Sequence, residues 1–126
     1  MRQKILILGG TGMIGHGLFY ELSRYNDLDV YASAREDTNI NKWFPLNLKE
    51  KIKTNIDVYH FDSIIEVLSF AQPDVVINCV GLIKQNPLVE IPHLAISINS
   101  LFPHRVASIC RAMGIRMIHV STDCVF

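Results

Sequence analysis

The chain has no surplus of either charge, since twelve Lys and Arg balance twelve Asp and Glu. Without basic runs, neither nucleic acid nor an anionic membrane surface is expected as a partner. No apolar run is long enough to cross a bilayer, and Met1 leads straight into the first apolar segment with no secretory leader, so a cytoplasmic location is expected. Cysteine is scarce: Cys79, Cys110 and Cys124 are odd in number and show no Cys-x-x-Cys spacing. Neither a disulfide framework nor a zinc site is suggested, and all three read as small buried hydrophobes. The five histidines, His16, His60, His93, His104 and His119, lack paired ligand spacing, so no metal site is expected. Repeats, low-complexity tracts and linkers are also missing. What is present is 126 residues with 49% hydrophobic content, enough for one domain with a real core.

The most informative stretch is Ile5-Leu6-Ile7-Leu8-Gly9-Gly10-Thr11-Gly12-Met13-Ile14-Gly15. Four large apolar residues before a glycine burst read as a strand buried on both faces. Ile14, Leu18, Phe19, Leu22 and Tyr25 then follow at helical spacing. Strand, glycine turn and helix form the context in which a dinucleotide-binding fingerprint counts as evidence. Gly9 would permit the tight turn, Gly12 would leave room for a pyrophosphate, and Gly15 would let the helix pack on the sheet. The helix N-terminus would present free N–H groups and positive dipole to phosphate.

Asp29 to Ala34 reads as a second strand, with Arg35 just past its end. In a doubly wound fold this place faces the adenosine ribose, where an acid binds a free 2′-OH and an arginine accommodates a 2′-phosphate. Arg35, with the Ser33 hydroxyl, favours NADP, with NAD as the alternative. Trp43, Phe44 and Leu46 flank Pro45, which argues against a regular helix there, and Leu48 to Lys53 could form a short one. Trp43 reads as a packing anchor. Ile56 to Phe61 reads as a third strand, ended by Asp62, which is placed to cap a helix from Ser63 to Phe70. Val75 to Gly81 is another strand apolar on both faces, and Asn78 lies at its carboxyl end, where open α/β sheets bind ligands. A long helix from Leu94 to Met113 follows, kinked by Pro103 and stopped by Gly114, and Arg116 to Ser121 is the last strand. The expected fold is a doubly wound, Rossmann-like α/β domain over residues 1–126, its parallel sheet ordered 3-2-1-4-5 with helices on both faces.

The Gly-x-x-Gly-x-x-Gly spacing resembles the extended short-chain dehydrogenase/reductase superfamily. Asp74-Val75-Val76-Ile77-Asn78, Asn99 and Ser121-Thr122-Asp123-Cys124-Val125-Phe126 look like its dTDP-4-dehydrorhamnose reductase branch, whose pattern at the end is Ser-Thr-Asp-Tyr-Val-Phe. Cys124 replaces that tyrosine, which is not the catalytic one, and Asn-Cys-Val-Gly replaces the usual Asn-Ala-Ala. The resemblance implies hydride transfer from NADPH to a nucleotide-linked 4-keto sugar. It implies that Gly9, Gly10, Thr11, Gly12, Met13, Ile14 and Gly15, then Ser33, Arg35, Asp62, Asn78, Cys79, Val80 and Gly81, line the cofactor, with Asp62 accepting from the adenine amino group. Thr122 would hydrogen-bond the substrate carbonyl, and Asn99 would support the catalytic lysine through water.

The branch's proton donor is a tyrosine in Tyr-x-x-x-Lys. None of Tyr20, Tyr25, Tyr31 and Tyr59 has a lysine four residues on. The chain is therefore expected to be the cofactor-binding portion of a reductase, inactive alone, with the nucleotide-sugar substrate bound through a C-terminal part. Its last strand would be an exposed edge prone to homodimer formation. Two other readings keep the same fold: a non-catalytic regulator resembling the methionine adenosyltransferase regulatory subunit, and a nucleotide-sugar epimerase or dehydratase.

Overall fold

The strand β1 (Gln3–Leu8) occupies the middle of the sheet, which explains its unbroken apolar run. On one side it pairs in parallel with β2 (Leu28–Ser33), Gln3 opposite Leu28 and Ile7 opposite Ala32. On the other it pairs in parallel with β4 (Val75–Asn78), Ile5 opposite Val75 and Leu8 opposite Asn78. A strand flanked on both edges and covered on both faces has no solvent side for a polar residue to occupy. The short β3 (Ile52–Lys53) joins the outer edge of β2, and β5 (Arg116–His119) joins β4, both in parallel. The sheet order is therefore β3-β2-β1-β4-β5, as the sequence pattern implies. This computed structural model describes residues 2–10, 12–35, 44–57, 60–80 and 102–120.

Alternate residues of each strand feed two separate cores. Leu6, Leu8 and Val76 face α3 (Phe61–Ala71) and α4 (Phe102–Met113), meeting Ile64, Val67, Leu68, Val106 and Cys110. Ile5, Ile7, Val30, Ala32, Val75 and Ile77 face the other way, onto Phe19 of α1 (Met13–Leu22) and onto Phe44. Phe19 is fully buried, its ring edge-on to Phe44 at 5.4 Å. Burial of each such side chain contributes about 1.5–3 kcal/mol. Helices on both faces of a parallel sheet complete the doubly wound arrangement.

Several boundaries differ from the sequence reading. The second strand is Leu28–Ser33 rather than 29–34, and the fourth stops at Asn78. The short helix α2 covers Leu46–Lys49, so Ile52 and Lys53, read as its continuation, form β3 instead. The strand expected from Ile56 to Phe61 is a correction: pairing with β2 ends at Lys53, and Asn55 turns the chain with a left-handed φ of 63°. Ile56 is buried and its N–H reaches Ala34 O at 3.0 Å, which accounts for its strand-like apolarity. α3 starts two residues earlier than Ser63, with His60 at its N-cap.

Asp62 sits in the first turn of α3 and makes no cap. Ser63 ties this corner instead: its hydroxyl donates to Asp57 O or His60 O, and accepts the Asp57 N–H at 3.0 Å. Gly114 does stop α4. With φ 73°, it lets its own N–H reach Arg111 O and the Ile115 N–H reach Cys110 O at 2.8 Å, the Schellman pattern. Trp43, Cys124 and residues 94–101 of the expected long helix lie outside the described residues, and Pro103, where the kink was expected, is the second residue of α4; Cys79 and Cys110 are unbridged.

Candidate functional site

The carboxyl ends of β1, β2 and β4 meet at the glycine turn, and backbone demands dominate there. Gly9 has φ +86°, a conformation that favours glycine, and a Cβ on it would lie 3.1 Å from Val80 Cγ2. Gly15 is tied more tightly, since a Cβ there would lie 1.9 Å from Gly9 O. Gly10 donates to Ser33 O at 2.7 Å and packs against Ala32. Gly12 differs from all three. It is exposed, and a Cβ on it would meet only Gly9 O, at 3.6 Å.

Gly12 is also the N-cap of α1, with no side-chain cap and no acid in the first turn. The first N–H groups of that helix therefore keep their hydrogen-bonding capacity and partial positive charge at an open surface, beside the exposed Met13 and half-exposed Ile14. The turn fits a pyrophosphate: it offers donors and an open place that a side chain at Gly12 would fill.

Two expected contact residues do something else. Ser33 is 3% exposed, and its Oγ accepts the Gly9 N–H at 3.0 Å. Its hydroxyl fixes the glycine turn from beneath and is not open to a 2′-phosphate. Asn78 is fully buried: Oδ1 accepts the Val80 N–H at 3.1 Å, and Nδ2 lies 3.1 Å from His119 Nδ1. With its oxygen committed to Val80, the amide donates to the imidazole. Asn78 thus braces the strand end against which Gly9 rests, and acts on the site through the backbone. Cys79, next to it, is half-buried, and burial pushes its thiol pKa up, as it does for Cys110. Neither environment favours the reactive thiolate.

Beyond β2 lies a cleft of about 420 Å³ lined by Arg35, Asn55, Asp57, His60 and Ser63. Arg35 is exposed there, held beside residues 54–57 because Ala34 N bonds Lys53 O and Ile56 N bonds Ala34 O. Asp62 does not line this cleft. Asp57 and His60 do, with His60 Nδ1 3.3 Å from Asp57 Oδ2. The sequence reading starts the third strand four residues late, at Ile56 instead of Ile52; Asn55, a turn residue before an isolated Ile-Asp, was the available signal. Thr11, Gly81, Asn99 and Thr122 lie outside the described residues. Among the described residues, no cluster of His, Cys, Asp or Glu could hold a metal ion, and no helix is long and apolar enough to cross a membrane.

Residues 3–126 match the RmlD substrate binding domain family. The chain belongs to that family. The RmlD-family assignment agrees with its curated relatives, among them a dTDP-4-dehydrorhamnose reductase of Mycolicibacterium smegmatis, 28% identical over all of this chain and 32% of its own length. The chain thus spans about a third of such relatives. Among solved structures, the fold is shared with a dTDP-4-dehydrorhamnose reductase from Bacillus anthracis in complex with NADP (TM-score 0.63, 20% identity, 93% of this chain and 35% of that one). It is also shared with a Thermus thermophilus UDP-glucose 4-epimerase in complex with NAD (TM-score 0.71, 22% identity, 91% and 35%). At these identities the likeness is one of fold.

Proposed function

We propose that this chain is the cofactor-binding portion of an NADP-dependent reductase acting on a nucleotide-linked 4-keto sugar. The observation that carries the reading is the pairing of an open glycine turn with a cleft holding Arg35 at the end of the neighbouring strand. A dinucleotide laid across the two would place its pyrophosphate over Gly12 and the start of α1, and its adenosine end in the cleft. Family membership supports the sugar-nucleotide chemistry.

The bound cofactor would supply the hydride. This chain's residues do the holding: the α1 N-terminus neutralises pyrophosphate charge, Arg35 pairs with the 2′-phosphate, and Ser33 and Asn78 keep the turn in shape. Thr122 is proposed to hydrogen-bond the substrate carbonyl, and Asn99 to support the lysine of a Tyr-x-x-x-Lys pair absent from these 126 residues. Lacking that proton donor, the chain alone is expected to oxidise no NADPH with a 4-keto sugar nucleotide.

Calorimetric titration with NADPH and NADH tests the reading. Arg35→Ala should weaken NADPH by about 1.5–3 kcal/mol and leave NADH nearly unchanged. Equal losses would make Arg35 structural and remove the case for NADP, and no binding of either by the wild-type chain would remove the cofactor site altogether.

A further inference from the structure

We propose that His119, at the carboxyl end of β5, is a positioning residue for the dinucleotide site, acting through Asn78 on the strand end against which the glycine turn rests. This deepens the cofactor-binding reading of that turn and depends on it. A backbone N–H can only donate, so the group facing Val80 N at 3.1 Å is the Asn78 oxygen. The amide nitrogen, also only a donor, then faces His119 Nδ1 at 3.1 Å. Nδ1 therefore accepts, and in the neutral ring the proton sits on Nε2. One backbone donor thus fixes both the orientation of a buried amide and the tautomer of an imidazole on the next strand.

Sheet register brings these groups together. Asn78 stands opposite Leu8 of β1 and opposite His119 of β5. The last backbone ties beside it run from Cys79 N to Leu8 O at 2.9 Å and from Val120 N to Asn78 O at 3.0 Å. Val80 lies beyond both, past the end of β4, and among the described residues the Asn78 side chain is what receives its N–H. Gly9 packs against this same backbone, since a Cβ on it would come within 3.3 Å of Cys79 C and of Val80 N. Asn78 is fully buried, so an amide deprived of its acceptor cannot turn to solvent in place. Its nitrogen is then satisfied only by moving, and moving releases the Val80 N–H. His119 itself is exposed, so replacing it removes little packing. Its effect on the turn runs through the hydrogen bond.

The test compares His119→Leu, which removes the acceptor, with His119→Asn, whose side-chain oxygen can reach the place of Nδ1. By calorimetry His119→Leu should weaken NADPH and NADH by the same factor, about tenfold, because the turn they share is disturbed. His119→Asn should bring both back to within about twofold of wild type, a recovery that loss of packing would not show. His119→Leu binding both nucleotides as wild type does, or His119→Asn binding as poorly as His119→Leu, overturns the proposal and leaves the cofactor site standing. Nitrogen-15 NMR of the wild-type imidazoles at about pH 8.5 reads the hydrogen bond without ligand, and decides even where His119→Leu does not fold. The resonances missing from His119→Asn should show a bare Nδ1 and a protonated Nε2. A proton on Nδ1 overturns the proposal. Failure of the wild-type chain to bind either nucleotide overturns the cofactor reading and the proposal with it.

Discussion

The hydroxyl of Ser33, at the end of β2, accepts the backbone N–H of Gly9, the first residue of the glycine turn, at 3.0 Å. One strand's side chain therefore sets the shape of its neighbour's loop. Ser33→Ala leaves that N–H unpaired in a part-buried place and should cost about 1–3 kcal/mol of stability by denaturant unfolding. NADPH and NADH should weaken by the same factor, because the fault is in the turn they share. A loss confined to NADPH would show that the hydroxyl reaches the 2′-phosphate after all.

Gly12 and Gly15 should respond oppositely. A valine at Gly12 points into open space, so Gly12→Val should abolish dinucleotide binding and lower stability by about 1 kcal/mol or less. Gly15→Ala puts a methyl group into Gly9 O and should destabilise the fold by about 3 kcal/mol or more. Calorimetry and thermal melts on both variants separate the cases; unchanged affinity in Gly12→Val would mean the turn is not the phosphate site.

The β2–β3 edge carries a pH signature. Burial alone would raise the Asp29 carboxyl, but hydrogen bonds from Lys51 and Tyr31 and the charges of Lys51 and Arg2 outweigh it, holding Asp29 below its ordinary 3.8. A carboxylate whose folded value is depressed stabilises above its unfolded value and loses that contribution as pH falls through the folded one. Asp29→Asn should therefore be less stable than wild type by about 1 kcal/mol at pH 7, the gap closing below about pH 4. A gap that stays constant down to pH 2 in denaturant titrations would contradict this.

β5 tests the outer edge of the sheet. Among the described residues only β4 pairs with it, and Ile118 is 47% exposed. Unpaired backbone beside an apolar side chain favours contact with another chain. Light scattering should show the wild-type chain associating as its concentration rises, and Ile118→Lys remaining monomeric. Two monomeric samples would mean that the edge is covered.

The legible parts of this fold are those where one requirement decides the residue. The β1 run and the glycines after it could be read because burial on both faces and close backbone approach each leave few residues possible. The order of strands followed from the same logic applied to Val75–Asn78. The β3 region was misplaced because a two-residue strand has no period to detect, while Ile56, buried off its end, imitates one. Ser33 and Asn78 were placed correctly at strand ends, but the direction of a hydroxyl or an amide depends on partners, Gly9 and His119, that are distant in sequence. The cleft residues Asp57 and His60 escaped for the same reason: only the corner closed by Ser63 brings them together with Arg35.

The contact between Gly9 and Val80 bears on the order in which the molecule is made. A ribosome that has released residues up to Arg35 has already produced β1, the whole glycine turn, α1 and β2. That intermediate would have only one wall of the proposed phosphate site, because the surface against which Gly9 rests arrives some forty-five residues later, just past β4. On the proposed reading of the turn, cofactor capture therefore waits until the chain has crossed back over β1. A nascent chain that already retains dinucleotide before Val80 emerges would have to hold it with β2 and α1 alone.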